Sequence, residues 1–252
     1  MPDDVARLQA MYLDVMERIL CNSIYGDAST FPDNARGTYD PQRRNQGSDW
    51  PAQAHTMVGA IRLRHLRGCV ERVLSDGVPG DFIETGVWRG GASILMRAVL
   101  AAYGVEDRLV WLADSFRGIP PPNPEKYPAD AGLNFHEYSV FAVSLDEVKA
   151  NFRAYGLLDD CVRFVEGWFA DTLASIPADT FAIIRLDGDL YESTMVALDA
   201  LYPKLASGGF VVVDDYGSLA VCRAAVDDYR ERCGIDVPIG KIDWTGVYWR
   251  KP

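Results

Sequence analysis

The feature that most restricts the fold of this chain is an alternation, from residue 81 onward, between short apolar runs and segments of helical periodicity. The run Phe181–Leu186 is apolar except for Arg185, and the run 210–213 is apolar throughout. A strand that is apolar at nearly every position is covered by helices on both faces of its sheet. Strands alternating with helices of about 10–15 residues predict βαβ units. We therefore predict an α/β fold with a doubly wound, Rossmann-like parallel sheet.

The same periodicities divide the chain into predicted elements. Apolar positions spaced by three and four residues predict an amphipathic helix over 5–25 and a second helix over 56–74. Residues 26–52 and 117–140 are rich in Gly, Pro and polar residues, and loops of this length are usually functional or disordered. The other predicted strands cover 81–84, 109–113, 162–165, 239–242 and 247–250, and the other predicted helices cover 92–103, 145–155, 169–175, 193–205 and 219–233.

The length of 252 residues is sufficient for a large core that needs no disulfide or metal to fold. We expect a single domain over residues 1–252. Within it, residues 1–76 would form a helical extension with a lid loop, and residues 77–252 would form the α/β core.

The net charge of −11 and the pI near 4.7 bear on the partners of this chain. An acidic chain is repelled by phosphate backbones and anionic lipids, so we expect neither a nucleic-acid partner nor a membrane. No apolar run approaches the roughly 20 residues that span a bilayer, and no secretory signal is visible. The five cysteines are scattered and form no C-x-x-C pair, which is typical of reduced thiols in a cytoplasmic protein.

Carboxylate residues follow five successive predicted strands. In an open parallel sheet, ligands bind beyond the carboxyl ends of the strands. An acidic residue at such a position can also cap the next helix, but capping explains one or two of these cases better than all five. We therefore predict a shared ligand site at this edge of the sheet. Its candidate carboxylates are Glu84, Asp114, Glu166, Asp187, Asp189, Asp214 and Asp215.

The turn after the strand 81–84 contains three glycines, in the run Gly86-Val87-Trp88-Arg89-Gly90-Gly91. Glycine allows the backbone to approach a ligand closely. The pattern differs from the G-x-G-x-x-G of dinucleotide-binding folds, which disfavours a nicotinamide cofactor. Asp114, at the end of the next strand, is placed to accept hydrogen bonds from both hydroxyls of a ribose. A nucleoside-like ligand without phosphate fits best, and S-adenosylmethionine is the commonest such ligand.

Three further carboxylates, Asp189, Asp214 and Asp215, follow two strands that are one strand–helix–strand unit apart. Carboxylates that converge repel one another unless a cation lies between them. Oxygen ligands select Mg²⁺, Ca²⁺ or Mn²⁺ over Zn²⁺. A metal site and a solvated acidic rim are therefore both compatible with this spacing.

Longer motifs are distributed along the chain. They are Ala54-His55-Thr56-Met57-Val58-Gly59, Gly80-Asp81-Phe82-Ile83-Glu84-Thr85-Gly86-Val87-Trp88-Arg89-Gly90-Gly91, Ala113-Asp114-Ser115-Phe116, Gly167-Trp168-Phe169, Leu186-Asp187-Gly188-Asp189, Val213-Asp214-Asp215-Tyr216 and Gly246-Val247-Tyr248-Trp249-Arg250. Together these motifs resemble the macrocin O-methyltransferase (TylF-like) family, from about residue 10 to the end of the sequence. The two loops are the stretches least like the family.

The resemblance implies a class I methyltransferase sheet with an N-terminal helical extension. It also implies a Mg²⁺- and S-adenosylmethionine-dependent O-methyltransferase that acts on sugar hydroxyls of glycosylated natural products such as antibiotics. The family's Mg²⁺ ligands fall on Asp189, Asp214 and Asp215, and its general base falls on Asp189. The residues expected to bind the cofactor are Thr56, Met57, Glu84, Thr85, Gly86, Asp114, Ser115, Gly167, Trp168 and Asp187.

Several alternatives stay open at this point. His136, in the second loop, could act as a second catalytic base or lie in solvent. A catechol-type O-methyltransferase acting on an aromatic diol would use the same metal chemistry. A nicotinamide-dependent reductase is disfavoured by the glycine pattern, and a non-catalytic nucleoside-binding regulator would need no metal site. We expect a small-molecule glycoside as the substrate and a homo-oligomer as the assembly.

Overall fold

The computed structural model describes residues 2–34 and 36–252, and within them seven strands form one sheet. Strands β1 to β5 are parallel, whereas β7 is antiparallel to both β5 and β6, and the spatial order is β3-β2-β1-β4-β5-β7-β6. The doubly wound sheet predicted from the sequence is therefore confirmed. The strands are β1 (Asp81–Thr85), β2 (Val110–Asp114), β3 (Val162–Glu166), β4 (Phe181–Leu186), β5 (Leu205–Val213), β6 (Gly240–Lys241) and β7 (Val247–Arg250).

Helices cover both faces of the sheet and bury one apolar core on each. On one face, α1, α3, α4 and α5 pack around Phe82 and Leu112, and on the other, α7 and α8 pack around Ile83 and Val211. Successive strand residues point to opposite faces, which explains why neighbours such as Phe82 and Ile83 belong to different cores. The helices are α1 (Pro2–Leu20), α2 (Pro41–Gln46), α3 (Gly59–Ser75), α4 (Gly91–Ala102), α5 (Leu145–Ala154), α6 (Phe169–Thr172), α7 (Tyr191–Leu201) and α8 (Ala220–Cys233).

Helix α1 ends at Leu20 rather than at residue 25, and α7 covers Tyr191–Leu201 rather than 193–205. Two further differences have a cause in the local sequence. The first loop contains α2, which begins after the N-cap Asp40 with Pro41 at its first turn and ends at Gly47, whose φ is 61°. These are ordinary helix start and stop signals, but the helix has only six residues and no amphipathic period that a pattern search could detect. Strand β5 begins at Leu205 rather than at 210, because its backbone continues through two glycines and shifts register against β4.

A buried ionic network holds the first loop against the core. The guanidinium of Arg44 is 1% exposed and contacts the carboxylates of Asp27 at 2.6 Å and Asp49 at 3.0 Å. The second oxygen of Asp27 accepts hydrogen bonds from the backbone N–H groups of Gln53 and Ala54. The loop is thus fixed at both ends of α2 and brings residues 47–50 to the carboxyl edge of the sheet.

No helix in the described part of the chain is both long and apolar enough to span a bilayer.

Candidate active site

A cavity of about 1070 Å³ opens at the carboxyl edge of the parallel strands. Its floor comes from the strand ends, including Gly86, Asp114 and Asp214, and its roof comes from the two long loops. Ligand pockets for small molecules usually measure about 300–1,000 Å³. The cavity therefore has room for two small molecules side by side, at the edge of the sheet that the sequence predicted.

The glycine turn after β1 lies against the end of β4. Gly86 has a φ of +83°, and a Cβ atom there would lie 1.7 Å from the backbone oxygen of Asp187. Any side chain at this position would collide with backbone, so only glycine permits the contact. Gly91 makes a similar close approach, since its N–H donates to the backbone oxygen of His55 at 2.9 Å. The turn is thereby held between β4 and the segment that precedes α3.

Asp114 lies at the end of β2 and lines the cavity. Its two carboxylate oxygens accept hydrogen bonds from the backbone N–H groups of Val87 at 2.6 Å and Phe116 at 2.7 Å. Burial raises the pKa of this carboxyl group, and the backbone hydrogen bonds oppose that rise. The Ser115 hydroxyl makes only a weak contact with one of these oxygens, at 3.5 Å, so a ligand hydroxyl in the cavity can replace it as a donor to Asp114.

Arg185 joins three strand ends beneath the cavity. Its guanidinium is fully enclosed and donates to Glu84 at 2.8 Å, to Asp187 at 2.8 Å and to Asp214 at 2.5 Å. Glu84 also accepts a hydrogen bond from the Ser93 hydroxyl, so both of its oxygens are bound within the protein. Burial raises the pKa of Glu84 to about 7, against the opposing charge of Arg185.

Three carboxylates converge beside this arginine and form what we call the acidic cluster, Asp187, Asp214 and Asp215. One oxygen of each lies within 4.8 Å of the others. The predicted group had Asp189 in place of Asp187. Asp187 directly follows the last residue of β4, whereas Asp189 lies two residues further along, in a turn where its φ is 59°. The geometry therefore favours Asp187 as the third member of the group and leaves Asp189 beside it.

The electrostatics of the site are dominated by unbalanced negative charge. The acidic cluster and Asp189 together carry four carboxylates, and the guanidinium groups of Arg62 and Arg185 both contact Asp214. Arg62 also pairs with Asp243 at 3.1 Å, so only part of its positive charge offsets the four carboxylates of the site. Burial and then the neighbouring aspartates raise the pKa of Asp189 to about 8 and raise that of Asp215 well above its ordinary value.

The donor set fits an oxygen-binding divalent cation. The Oδ2 atom of Asp215 is buried and accepts no hydrogen bond from any part of the chain that the structure describes. A buried acceptor without a partner is costly unless something else binds it. Three converging carboxylates with excess negative charge are a ligand set that Mg²⁺, Ca²⁺ and Mn²⁺ bind, and Zn²⁺ prefers nitrogen and sulfur.

Aromatic side chains from the two loops meet above the acidic cluster. We call these residues, Phe31, Trp50, Tyr138 and Phe141, the aromatic wall. The ring of Trp50 contacts the other three edge-on, at centroid distances of 4.7 Å to Phe31, 5.7 Å to Tyr138 and 5.2 Å to Phe141. All four line the cavity. The wall joins the first loop to the second and presents an apolar surface to whatever enters.

The second loop is attached to the N-terminus of α7 by Asp130. This carboxylate is fully buried and accepts hydrogen bonds from the backbone N–H groups of Tyr191 at 2.7 Å and Glu192 at 3.0 Å. It therefore caps the N-terminus of α7, directly after the turn that carries Asp189. Trp88 adds a second attachment, since its indole N–H donates to the backbone oxygen of Val140 at 2.7 Å.

Most, but not all, of the predicted site residues line the cavity. Those that do are Met57, Gly86, Asp114, Ser115, Trp168, Asp187, Asp189, Asp214 and Asp215. Thr56, Thr85 and Gly167 are not among the lining residues, but each directly precedes one that is. Glu84 does not line the cavity either, and its carboxylate binds Arg185 and Ser93. His136 is exposed in a short 3₁₀ helix and does not line the cavity, so the structure gives it no position from which to act as a base.

Sequence reasoning missed the two arginines and the aromatic wall. Arg185 was visible as the one charged residue in an apolar strand, and that irregularity is the signal that could have identified it. Arg62 lies on α3 beside other arginines and has no such signal. The residues of the wall are far apart in the chain, so only tertiary structure brings them together.

The fold and this site together define the class of the protein. A solved structure described as that of the O-methyltransferase NovP superposes with a TM-score of 0.92 at 51% sequence identity, covering 96% of this chain and 99% of that one. The sheet is thus that of a class I, Rossmann-like O-methyltransferase, with its ligand cavity at the carboxyl edge of the parallel strands.

Sequence comparisons narrow the class to a family. The model of the family described as macrocin O-methyltransferase (TylF) matches residues 9–251, and the chain belongs to this family. A tetracenomycin-C rhamnosyl 4'-O-methyltransferase of Streptomyces olivaceus is 56% identical, over 95% of this chain and 92% of its own length. A mycinamicin III 3''-O-methyltransferase of Micromonospora griseorubida is 48% identical, over 96% of each chain. The chain is an O-methyltransferase, and the family implies the use of S-adenosylmethionine.

Proposed function

We propose that this protein transfers a methyl group from S-adenosylmethionine to a sugar hydroxyl of a glycosylated natural product, with the help of Mg²⁺. The observation that carries the proposal is the acidic cluster with Asp189 beside it, on the floor of a cavity large enough for a cofactor and a glycoside. Relatives that are named for methylation of a rhamnosyl group and of mycinamicin III support a glycoside as the acceptor.

The acidic cluster would hold the metal ion, with the unpartnered Oδ2 of Asp215 as one donor. A bound divalent cation acts as a Lewis acid that lowers the pKa of a coordinated hydroxyl group. Arg62 and Arg185 fix the position of Asp214 through one contact each, so the cluster is organised before a ligand arrives. Because Asp187 belongs to the acidic cluster, we assign it to the metal site rather than to the cofactor site that the sequence predicted.

Asp189 would act as the general base. Its carboxylate is outside the acidic cluster but adjacent to it, so it can receive a proton without giving up a ligand position. An Asp189 oxygen would receive the proton of the acceptor hydroxyl group as that hydroxyl is methylated, and S-adenosylmethionine would supply the methyl group. Holding the two reactants in line supplies much of the remaining acceleration.

The cofactor would lie along the ends of β1 and β2. Asp114 and Ser115 would bind the ribose hydroxyls, Gly86 would allow close approach of the backbone, and Trp168 would offer a ring face, since all four residues line the cavity. Glu84 binds Arg185 and Ser93, so it orients the glycine turn from below.

We also expect the protein to form a homo-oligomer, as predicted from the sequence.

The experiment that tests the proposal is a methyl-transfer assay by mass spectrometry with a panel of deoxysugar glycosides and simple catechols. EDTA should abolish transfer to glycosides and added Mg²⁺ should restore it, while calorimetry shows that S-adenosylhomocysteine still binds in EDTA. Asp189→Asn should lower turnover by about 10²–10⁴ without loss of Mn²⁺ binding, because general-base catalysis is worth about that much. The matched change Asp187→Asn should weaken Mn²⁺ binding instead.

Two results would contradict this assignment. Full activity in EDTA would remove the metal from the mechanism, and wild-type turnover by Asp189→Asn would remove the base. Methylation of catechols in preference to every glycoside would replace the substrate class but leave the metal chemistry in place.

A further inference from the structure

The turn between β6 and β7 places an aromatic side chain at the rim of the cavity. This turn covers residues 242–246, and within it Trp244 lines the cavity while its side chain is 49% exposed. A single exposed aromatic residue is ordinary on a protein surface. What distinguishes Trp244 is how firmly it is held and where it lies relative to the acidic cluster.

Trp244 is fixed by its own hydrogen bond and by those of its two neighbours in the chain. Its indole N–H donates to the backbone oxygen of Gln46 at 2.9 Å. The carboxylate of Asp243 accepts from the backbone N–H of Thr245 at 3.0 Å, and the Thr245 hydroxyl donates to the backbone oxygen of Asp214 at 2.8 Å. Because the one polar atom of the side chain is already bound, Trp244 presents apolar ring surface to the cavity, and a ring held in advance loses little entropy when a ligand packs on it.

The strand order places the acidic cluster between Trp244 and the proposed cofactor site. Along the carboxyl edge the strands follow one another as β2-β1-β4-β5-β7. Asp114 and Gly86 follow β2 and β1, and the acidic cluster follows β4 and β5. Val247, the first residue of β7, pairs with Val213, the last residue of β5. The turn that carries Trp244 therefore lies at this same edge, on the side of the cluster away from the cofactor residues.

The geometry of methyl transfer assigns a role to that side. The acceptor oxygen attacks the methyl carbon in line, from the side opposite to the sulfur. The remainder of the acceptor must then extend away from the cofactor, which here is toward β7. Two strand spacings separate β7 from β4, or about 10 Å, so one sugar ring fits between the cluster and the turn. The group attached to that sugar would reach Trp244.

We infer that Trp244 is a specificity-determining residue that packs against the aglycone of the acceptor and selects aglycones with a flat apolar ring next to the glycosidic bond. The inference rests on the proposed function, because it takes the acceptor to be a glycoside bound at the acidic cluster. Leu219 lines the cavity on the same side and extends the apolar surface. Its neighbour Ser218 contacts the Thr245 hydroxyl at 2.6 Å, which holds this segment against the turn.

The test compares two acceptors that share a sugar and differ in the aglycone. They are the methyl and the 2-naphthyl glycosides of the deoxysugar that the parent chain methylates fastest in the glycoside panel. The parent chain should show a kcat/KM about tenfold higher for the naphthyl glycoside, which is the order expected of one aromatic contact. Trp244→Ala should bring the two kcat/KM values to within about twofold of each other, chiefly through a higher KM for the naphthyl glycoside.

A second variant separates contact with the acceptor from support of the first loop. Trp244→Phe keeps an aromatic ring but removes the hydrogen bond to Gln46, so it should retain most of the preference for the naphthyl glycoside. Tyr103→Ala removes an exposed tyrosine at the C-terminal end of α4, at the opposite edge of the sheet, and should retain all of it. Calorimetry with S-adenosylhomocysteine should give the affinity of the parent chain for all three variants, which shows that the cofactor site is intact.

Three results would overturn the inference and leave the proposed function in place. They are a parent chain with no preference between the two glycosides, an equal loss for both glycosides in Trp244→Ala, and a loss in Trp244→Phe as large as in Trp244→Ala. The last two would show that Trp244 only supports the first loop. A parent chain that methylates no glycoside of the panel would instead overturn the proposed function, and the inference with it.

Discussion

At the scale of single residues, Arg185 shows how a charged side chain can be stable inside an apolar strand. Its guanidinium contacts carboxylates from the ends of β1, β4 and β5, so the attraction offsets the cost of removing it from water. The same contacts fix Asp187 and Asp214 in the acidic cluster. Arg185 is therefore a positioning residue for the proposed metal site as well as part of the core.

Arg185→Met should destabilise the fold by about 3–5 kcal/mol, because it removes the charge partner of buried carboxylates. Urea denaturation in the absence of divalent cations measures this free energy of unfolding. The matched change Arg163→Met, on β3 of the same sheet, removes a half-buried arginine that donates to the backbone oxygen of Val162, and it should cost about 0.5 kcal/mol or less. Equal losses in the two variants would contradict the role of Arg185.

His65 gives the fold a sensitivity to acid that is independent of the active site. It lies against Tyr248 at a ring distance of 4.4 Å, and burial lowers its pKa to about 4, with Asp243 acting weakly in the opposite direction. Between pH 6.5 and 4, the unfolded chain takes up a proton at this position that the folded chain does not. The contribution of His65 to the free energy of unfolding should therefore fall as the pH is lowered through this range.

His65→Gln should remove that part of the pH dependence, which is measured by urea denaturation at a series of pH values. His136→Gln, at an exposed position of the second loop, is the matched histidine control. A profile that is identical for His65→Gln and the parent chain would show that His65 has no such effect.

The roles of some single residues could not be predicted from the sequence. The sequence predicted correctly that carboxylates gather at the carboxyl edge of the sheet, because strand ends can be located from apolar runs. It did not distinguish Asp187 from Asp189, because that depends on a left-handed backbone at Asp189 that its residue type does not dictate. Glu84 was predicted as a cofactor ligand because it lies at the end of a strand. Its pairing with Arg185 could not be predicted, since the two residues are 101 positions apart in the sequence.

At the scale of elements, each long loop is attached by one buried ionisable side chain. Arg44 fixes the first loop through Asp27 and Asp49, and Asp130 fixes the second through the N-terminus of α7. The loops were predicted because Gly and Pro interrupt every apolar period. Their attachments could not be predicted, because a charged residue in a polar segment has no pattern that marks it as buried.

Asp130→Ala should release the second loop while leaving the sheet intact, since it removes two hydrogen bonds to a helix N-terminus. Limited trypsin digestion should then cut more quickly at Arg117 and Lys126, and added S-adenosylhomocysteine should slow the cleavage if the loop closes over ligand. Asp146→Ala, in the exposed first turn of α5, is the matched control. Unchanged cleavage rates in Asp130→Ala would show that this carboxylate does not hold the loop.

At the scale of the whole molecule, the excess negative charge of the site should link stability to pH and to metal. The pKa of Asp189 is raised to about 8 and that of Asp215 is raised strongly, so the folded chain keeps protons that the unfolded chain releases above pH 4. Without a divalent cation, the contribution of these two carboxyl groups to the free energy of unfolding should therefore decrease as the pH rises from 5 to 8.

Mg²⁺ should raise the melting temperature more at pH 8 than at pH 5, because it binds the deprotonated cluster of the folded state. Differential scanning fluorimetry in EDTA and in Mg²⁺, at matched ionic strength, measures the difference. Asp215→Asn should reduce the response and Asp171→Asn, an exposed carboxylate of the cavity rim, should not. An equal Mg²⁺ effect at both pH values would contradict a metal site built from these carboxylates.

The architecture of the whole molecule was largely accessible from the sequence. The apolar strands and their helices predicted the doubly wound sheet, and the sheet predicted the edge at which ligands bind. The spatial order of the strands was not predicted, because each pairing joins segments that are far apart in the chain and have similar apolar composition.

The position of the aromatic wall determines where mutations can change the acceptor specificity of this fold. Its four side chains come from the two loops. The carboxylates that would do the chemistry come from strand ends, which are held by Arg185 and by the close packing of Gly86 against Asp187, where only glycine fits. Mutation in the loops can therefore reshape the surface that meets an acceptor without moving the reactive groups. Laboratory evolution toward unfamiliar glycosides is best directed at Phe31, Tyr138 and Phe141, with the strand ends left unmutated.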